Sequence, residues 1–275
     1  MKNKIHPTAI IEEGAKIGED VEIEAYAIIK KNVCLENRVV IKSHAYIDGH
    51  TTIGEESVIW PSASIGTQTQ DLKYAGETTF VRIGKRCQIR EFVTINSSCQ
   101  ENSVVSVGDD CLIMAYCHVA HNCTLGDRVI MANGSMLAGH VEVEDHVVIG
   151  GMTPVHQFSR IGAYSMVGGF SRIPYDVPPY TIGAGYSYKL GGLNLVGLKR
   201  NDFSIDVRKA LSQAFTLTYR SNHTLEEALR KIEEEVAGNP HVAHWVQFCR
   251  TSKRGLIGLH GVTKASEKCE DLLEV

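Results

Sequence analysis

The stretch "IHPTAIIEEGAKIGEDVEIEAYAII", residues 5–29, carries an aliphatic side chain at every sixth position. The same rule continues to Ile65, resumes at Ile83, and runs again from Val107 to Ile173. Two places before each aliphatic residue stands a small or β-branched one. A period of six with one large and one small apolar site fits neither the 3.6-residue period of a helix nor the two-residue alternation of a lone strand.

A β-solenoid accounts for this period, because short strands in successive coils stack at about 4.8 Å and fill a narrow interior. The pattern resembles the left-handed parallel β-helix of the hexapeptide-repeat transferases, which implies three hexads per coil and a left-handed path. We therefore predict a mainly β protein, with a left-handed parallel β-helix over residues 1–191. A small α-helical domain over residues 192–275 is predicted to follow it.

Glycine often follows the aliphatic position, as at Gly54, Gly84, Gly108 and Gly126. Glycine adopts positive φ without a steric penalty. We expect these glycines to supply the left-handed backbone conformation that the corners of each coil require.

Composition and charge exclude several classes of protein. The formal net charge of −4 over 275 residues gives no basic field that would attract nucleic acid. No apolar run approaches the roughly 18–20 residues of a membrane span, and the basic start "MKNKIHPTAI" has no apolar segment behind it. These features predict a cytoplasmic protein without stable membrane insertion.

Many of the eight cysteines fall on the small inward site of the hexad. These are Cys87, Cys99, Cys111, Cys117 and Cys123. Free cysteine behaves as a small hydrophobe, so we expect them to fill the core. The stretch "YCHVAHNC" (residues 116–123) contains two cysteines and two histidines, the four ligands of a possible zinc site. Because Cys117 and Cys123 are expected to point inward, only the two histidines remain available, and no metal site is predicted.

Two interruptions break the repeat. The first, "TQTQDLKYAGETTFVR" at residues 67–82, replaces two hexads and preserves the register, which predicts an inserted loop. Asp71, Lys73 and Tyr74 supply an acceptor, a cation and an aromatic surface for a hydroxylated, phosphorylated ligand; a solvated loop is the alternative. The second interruption, "QENSVVS" at residues 100–106, is short and is expected to carry little chemistry.

His118 and His121 lie off both inward sites of the hexad and are expected to point outward. Gly139 stands one coil after His121 and Gln157 one coil further, so the three should form a column. Histidine can take a proton from a hydroxyl, and a glycine N–H is open to an oxyanion. Two further histidines nearby are also predicted outward, His140 and His156. Ordinary solvated histidines remain the alternative.

Nine motifs in order, from about residue 5 to 258, resemble the UDP-N-acetylglucosamine O-acyltransferase family, the first enzyme of lipid A biosynthesis. They are "HPTAIIEEGAKIG", "QDLKYAGE", "HVAHNC", "LAGHV", "IGGMTPVHQF", "MVGG", "DVPPY", "GLKR" and "RGLIG". The resemblance implies transfer of a long fatty acyl or 3-hydroxyacyl chain from acyl carrier protein to the 3-hydroxyl of UDP-N-acetylglucosamine. It implies no resident cofactor, since 4′-phosphopantetheine arrives on the donor.

The resemblance also implies roles for individual residues. His121 would be the general base, the Gly139 amide would stabilise the oxyanion, and Asn122, where the family often has aspartate, would orient the imidazole. Gly169 of "MVGG" would form the floor of the acyl groove and admit a chain of about C14. The positions expected to hold the nucleotide sugar or the acyl-phosphopantetheine arm are Asp71, Lys73, His118, His140, His156, Gln157, Asn194 and Arg200.

Helical patterns follow Pro179. Apolar residues recur at helical spacing in residues 203–220, Thr224 and Glu227 form a capping box, and a third helix is predicted over residues 241–250. The tail from about residue 259 is expected to be frayed. A cationic face is expected here for an acidic carrier protein, with a mixed solvated face as the alternative; it comprises Lys199, Arg200, Arg208, Lys209 and Arg220. The family resemblance implies a homotrimer with active sites between protomers.

Three other interpretations are open. A hexapeptide-fold carbonic anhydrase would place His118, His121 and His140 from adjacent protomers on a metal. A related enzyme that N-acylates an already acylated sugar would carry an N-terminal uridine-binding domain, for which a repeat starting at residue 5 leaves no room. A purely structural solenoid would show rows of threonine outside and no inserted "QDLKY" loop.

Overall fold

The computed structural model describes residues 2–236 and 238–259. Its main body is a left-handed parallel β-helix built from strands that are mostly two residues long. In chain order the strands are β1 (Lys4–Ile5), β2 (Ile10–Ile11), β3 (Lys16–Ile17), β4 (Glu22–Ile23), β5 (Ile28–Ile29), β6 (Cys34–Leu35), β7 (Val40–Ile41), β8 (Tyr46–Ile47), β9 (His50–Ile53), β10 (Val58–Ile59), β11 (Ser64–Thr67), β12 (Phe80–Ile83), β13 (Gln88–Ile89), β14 (Thr94–Asn96), β15 (Val104–Val107), β16 (Leu112–Ile113), β17 (His118–Val119), β18 (Thr124–Leu125), β19 (Ile130–Met131), β20 (Met136–Leu137), β21 (Glu142–Val143), β22 (Val148–Ile149), β23 (Pro154–Val155), β24 (Arg160–Ile161), β25 (Met166–Val167), β26 (Thr181–Ala184) and β27 (Lys189–Leu193).

Three sheets form the walls of the β-helix, because every third strand pairs with the strand one coil away. Sheet 1 has 11 strands and begins β1-β4-β7; sheet 2 has eight and begins β2-β5-β8. Sheet 3 also has eight and ends with β9-β6-β3. Partners such as Lys4 and Glu22 differ by one coil of 18 residues. The predicted fold class is confirmed.

The interior follows the hexad rule. The aliphatic residues from Ile23 to Ile65 and from Ile113 to Ile173 are almost entirely buried. Their small partners, such as Ala27 and Ser165, are buried beside them. One continuous apolar core therefore runs along the axis of the β-helix.

The two interruptions lengthen single coils by whole hexads. Val58 pairs with Gln88, a step of 30 residues, and Gln88 pairs with Leu112, a step of 24. The first excursion occupies residues 68–79, because β11 ends at Thr67 and β12 already begins at Phe80. It is therefore slightly shorter than the sequence pattern indicates, and the register on either side is preserved.

The corners differ from the prediction about glycine. The left-handed conformation falls mostly on other residues, such as Asn122 with φ 57° and His140 with φ 60°. Gly84 serves a different purpose: a Cβ there would lie 2.5 Å from the carbonyl oxygen of Gly108 in the next coil. The prediction was wrong for Gly54, Gly84, Gly108 and Gly126, which allow coils to stack closely rather than to turn. Gly66, which follows Ile65, has φ 75° as expected.

The upper end of the β-helix is closed by a hairpin that the sequence patterns did not reveal. β26 pairs with β25 in parallel, and β27 returns antiparallel to β26. The reversal lies between Ala184 and Lys189, where Gly185 has φ 113°. The predicted division at residue 191 falls within β27, so this strand leads directly into the helices.

In the described part of the chain four helices follow: α1 (Leu195–Arg200), α2 (Ile205–Tyr219), α3 (Leu225–Glu235) and α4 (Pro240–Arg250). The capping box of Thr224 and Glu227 is present at α3, and the third predicted helix is confirmed as α4, capped by Asn239. A second core packs around Trp245 and Phe248. The predicted frayed tail beyond residue 259 lies outside the described residues. None of the helices within residues 2–236 and 238–259 has the length and apolarity needed to span a membrane.

Candidate active site

His121 lies at a corner that follows β17, and Gly139 lies one coil further on, after β20. The coils are joined here by the His140 N–H, which donates to the carbonyl oxygen of His121 at 3.0 Å. A Cβ on Gly139 would lie 2.4 Å from His121 Nε2, so only glycine lets the backbone approach the ring this closely. Within the described part of the chain no acceptor takes the Gly139 N–H. An imidazole nitrogen and an available amide donor thus lie side by side.

Asn122 determines which nitrogen of His121 carries the proton. Its Oδ1 lies 3.1 Å from His121 Nδ1. An amide oxygen only accepts hydrogen bonds, so Nδ1 donates and the lone pair is left on Nε2. Nε2 is the nitrogen beside Gly139, and it is therefore the atom that can act as a base.

The inserted loop brings Asp71 to the same nitrogen. Asp71 Oδ2 lies 3.9 Å from His121 Nε2, and each side chain is 18% exposed. The backbone N–H of Lys73 donates to Asp71 Oδ1 at 2.8 Å, which holds the pKa of that carboxyl below its usual value. A carboxylate that accepts hydrogen bonds therefore lies across from the base, while the Lys73 side chain is exposed at the mouth of the site.

His118 and His140 flank His121. His118 Nδ1 lies 2.7 Å from the hydroxyl oxygen of Thr94. The ring of His140 stacks on Phe158 at 4.6 Å and meets His121 edge to face at 5.2 Å. Burial lowers the pKa of both flanking histidines, and the charge of His121 lowers each of them further. Both rings are therefore suited to hydrogen bonding as neutral groups.

The remaining predicted site residues lie further from the base. His156 Nδ1 lies 3.0 Å from the carbonyl oxygen of Gln157, and Gln157 is exposed. Gly169 is exposed on the outside of its coil, where a Cβ would come within 3.2 Å of the Gly151 carbonyl oxygen.

Asn194 caps the N-terminus of α1, and Arg200 is the last residue of this helix. Asn194 Oδ1 accepts the Gly197 N–H at 3.0 Å, and its Nδ2 donates to the carbonyl oxygen of Tyr164 at 2.9 Å. Arg200 is exposed in the last turn of the helix. Among the contacts of the described residues, none joins either side chain to His121, so one chain does not bring these two groups together.

Cys99 is a site residue that the sequence analysis missed. It is only 8% exposed but does not belong to the apolar core of the β-helix. Its thiol donates to Asn122 Oδ1 at 2.9 Å, and Sγ lies 3.6 Å from His121 Nδ1. The core-filler prediction was wrong here because the second insertion begins at this point and lifts Cys99 off the inward row; that interruption was the available signal. The prediction is confirmed for the other four inward cysteines, Cys87, Cys111, Cys117 and Cys123.

A base beside an oxyanion donor is the arrangement that acyl transfer to a hydroxyl requires. The placement of His121 Nε2 beside Gly139 on the outside of a β-helix of six-residue repeats indicates a hexapeptide-repeat transferase. The model of the bacterial transferase hexapeptide repeat matches residues 105–139. The model of the UDP-N-acetylglucosamine O-acyltransferase second domain matches residues 176–257.

Comparison with individual proteins identifies the family. The acyl-[acyl-carrier-protein]–UDP-N-acetylglucosamine O-acyltransferase of Chlamydia abortus is 56% identical over 253 residues, covering 92% of this chain and 91% of that protein. The enzyme of the same name from Chlamydia trachomatis serovar L2 is 53% identical, covering 92% and 90%. The chain belongs to the family of acyl-[acyl-carrier-protein]–UDP-N-acetylglucosamine O-acyltransferases.

Solved structures agree with this assignment. A UDP-N-acetylglucosamine acyltransferase from Bacteroides fragilis superimposes with a TM-score of 0.90 at 37% identity, covering 92% of this chain and 99% of that one. The corresponding enzyme of Campylobacter jejuni gives a TM-score of 0.87 at 42% identity, again covering 92% and 99%. The likeness therefore extends over both the β-helix and the helices that follow it.

Proposed function

We propose that this protein transfers a long fatty acyl or 3-hydroxyacyl chain from acyl carrier protein to the 3-hydroxyl of UDP-N-acetylglucosamine, in lipid A biosynthesis. The observation that carries the proposal is the contact between His121 Nε2 and Gly139, with Asn122 holding the opposite nitrogen of the ring. Base and oxyanion donor are thereby fixed by backbone geometry before any substrate arrives.

The proposed reaction begins when His121 Nε2 takes the proton of the sugar hydroxyl. The hydroxyl oxygen attacks the thioester carbonyl carbon, and the tetrahedral oxyanion accepts a hydrogen bond from the Gly139 N–H. Collapse forms the ester and breaks the carbon–sulfur bond. The phosphopantetheine thiol leaves with the proton that His121 held, so the base is regenerated. The arm arrives with the donor, and no resident cofactor enters the scheme.

Asp71 would accept a hydrogen bond from the sugar and stabilise the imidazolium that forms during the reaction, since its carboxylate lies 3.9 Å from His121 Nε2. Lys73 would meet phosphate at the mouth of the site. His118 and His140 would bind as neutral donors and acceptors, and half-buried His156 with exposed Gln157 would contact the more distant part of a substrate.

Gly169 would set the length of the acyl chain. A side chain at position 169 would place its Cβ 3.2 Å from the Gly151 carbonyl oxygen. It would project from the surface along which the acyl chain would lie. Without a side chain the groove admits a donor of about C14, because each methylene beyond a pocket's floor costs binding energy.

A homotrimer would complete the site. One corner of the β-helix forms an exposed apolar ridge beside sheet 2, the sheet that bears His118; its members are Tyr26, Phe92, Tyr116, Met152 and Phe170. Such a patch is typical of a protein interface. Arg200 has no described contact with the His121 group in its own chain, so a neighbouring protomer would supply it, with Asn194 positioning the helix that bears it.

The carrier protein would dock beside α1 and α2. Lys199, Arg200 and Lys209 are exposed there, and Arg220 caps the far end of α2. A basic face would attract an acidic carrier protein and speed its encounter. We place the reaction in the cytoplasm, where the buried thiols of Cys117 and Cys123 would stay reduced.

The test is to incubate the purified protein with UDP-N-acetylglucosamine and acyl carrier proteins bearing chains of several lengths, with and without a 3-hydroxyl. Mass spectrometry follows the acylated sugar. We expect transfer by the wild type, the highest rate near C14, and loss of transfer in His121→Ala. Absence of transfer from every donor by a folded trimer would contradict the proposal, and a folded monomer with full activity would contradict the shared site.

A further inference from the structure

Cys99, His121 and His140 form a cluster with the donor types of a metal site. One ligand atom from each lies within 4.8 Å of the other two. The 3.6 Å between Cys99 Sγ and His121 Nδ1 is close to the sulfur–nitrogen separation across a tetrahedral zinc ion with bonds of about 2.3 and 2.0 Å. His118, the third histidine of the carbonic anhydrase interpretation, is not a member of this cluster.

The thiol is held in place by the loop that carries it. The Ser97 N–H donates to the Thr67 carbonyl oxygen at 2.7 Å, and Asn96 Nδ2 donates to Thr67 Oγ1 at 3.0 Å. Ser98, beside Cys99, is fully buried. The loop is therefore attached to the adjacent coil, and a metal would find the sulfur already positioned.

His140 is equally fixed. Its backbone N–H donates to the His121 carbonyl oxygen at 3.0 Å, and its ring stacks on Phe158. Cys99 and His140 are therefore held by contacts with adjacent coils, and the His121 ring is the group that has to move toward the ion.

An open cavity of about 510 Å³ gives access to this cluster. Cys99 and His140 line it together with Asp71, Lys73 and Phe158. The Asp71 carboxylate favours a cation at this place, and the Lys73 ammonium opposes one. The cavity leaves space for water as a fourth ligand, as in zinc sites with three protein ligands.

We propose that Cys99, His121 and His140 bind a divalent zinc-type cation, and that the bound ion inhibits the enzyme. The thiol proton passes to solvent as the metal–sulfur bond forms, and no electron is transferred. Sulfur and imidazole donors select Zn²⁺ or Co²⁺ over Mg²⁺. Metal binding by itself is independent of the proposed function. Inhibition rests on the proposed function, because it requires that His121 is the base. Whichever ring nitrogen of His121 binds the metal, the imidazole can no longer accept the substrate proton.

The thiol would switch partners when the ion binds. In its absence, the Cys99 thiol lies in the same cavity as the Asp71 carboxylate. The protonated thiol donates to Asn122 Oδ1. A metal would remove this donor from Asn122 and draw the imidazole toward the ion, so the metal-bound and catalytic arrangements exclude each other.

Titration of the metal-free full-length protein with Co²⁺ tests the site directly. We expect a sulfur-to-cobalt charge-transfer band together with the visible bands of tetrahedral cobalt, both displaced by Zn²⁺. Cys99→Ser should remove the charge-transfer band and weaken Zn²⁺ binding by more than about 100-fold, and His140→Ala should weaken it similarly. Cys34→Ser is the matched control, because Cys34 is half-buried on β6 in another part of the β-helix, and it should retain the full band.

Thermal unfolding of each variant checks that it is folded. An undiminished band in folded Cys99→Ser, or no band in the wild type, would overturn the metal site. In the acyl-transfer assay, Zn²⁺ should inhibit the wild type, and a chelator should restore its activity. Cys99→Ser should be less sensitive to inhibition by Zn²⁺. Zn²⁺ binding to the wild type without loss of acyl transfer would overturn the inhibitory role. If the metal-free wild type transfers no acyl chain, the proposed function fails while the cobalt spectrum still decides the metal site.

Discussion

The coils at residues 4–65 and those at residues 94–158 share one interior but have different exteriors. Ile29 in the first group and Ile149 in the second are both fully buried at equivalent inward positions. Outside, the first group carries ion pairs between adjacent coils, such as Lys42 with Glu24 at 2.6 Å. The second group carries the histidines around His121 instead. The comparison shows that the inward residues determine the coil, and the outward residues are free to specify chemistry.

The largest expected effect is the loss of the base from the second group. Replacing His121 with alanine should lower kcat/KM by about 10³–10⁴-fold, because general base catalysis contributes that much, while the melting temperature changes little. Steady-state kinetics and thermal unfolding measure the two effects. His6→Ala is the control, since His6 is exposed in the first group and its ring nitrogen lies 2.9 Å from the hydroxyl oxygen of nearby Thr8. Equal activity losses in both variants would refute the division between the two groups.

The next effect concerns the glycine in contact with the base. Gly139→Ala should reduce kcat by about 10²–10³-fold, because the new methyl would displace the imidazole and disturb the amide that we propose binds the oxyanion. KM should change less than kcat. Gly191→Ala, whose Cβ would meet only the Ile182 carbonyl oxygen at 3.3 Å, should retain activity. Normal kcat in Gly139→Ala would show that the close approach is unnecessary.

The interior should respond equally in both groups. Ile29→Ala and Ile149→Ala should each reduce the free energy of unfolding by about 2–5 kcal/mol, since each leaves a cavity in a closely packed core. Chemical denaturation of the two variants measures this. A much smaller reduction in the free energy of unfolding for one of the two variants would show that the interiors of the two groups do not contribute equally to stability.

The burial of His118, in the second group, should make the free energy of unfolding depend on pH. Burial lowers the pKa of His118 in the folded protein, so the unfolded chain binds more protons below about pH 6.5. Stability should fall as the pH drops from neutral through the lowered pKa, and His118→Asn should lessen that fall. Denaturant midpoints between about pH 7.5 and 5 report the effect. An identical decline in wild type and variant would exclude His118 as its source.

The smallest effect belongs to the ion pairs of the first group. Lys42→Met should cost no more than about 1 kcal/mol of stability, because both partners are partly exposed to water and salt. Acyl transfer should be unaffected, and added salt should narrow the difference in denaturant midpoint between variant and wild type. Loss of activity in this variant would show that the first group takes part in the reaction.

The sequence was sufficient to predict the β-helix and the column of His121 and Gly139, because both follow from counting hexads along a strictly repeating chain. It did not reveal the role of Cys99, since residues 97–103 leave the repeat and counting no longer fixes where a side chain points. The hairpin of β26 and β27 also escaped notice, because its glycines at 183, 185, 191 and 192 obscure any alternation. Its strands are recognised only by their pairing with β25.

Coils that lengthen only by whole hexads make this β-helix a modular scaffold. The steps of 30 and 24 residues leave the chain at a corner and return it to the same inward register. A foreign peptide inserted between Thr67 and Phe80, if closed on a whole number of hexads, should therefore be displayed beside His121 without altering the coils above or below. The fixed points at Thr67 and Phe80, where the chain leaves and rejoins the strands, thus separate the structure of the coils from the content of the loop.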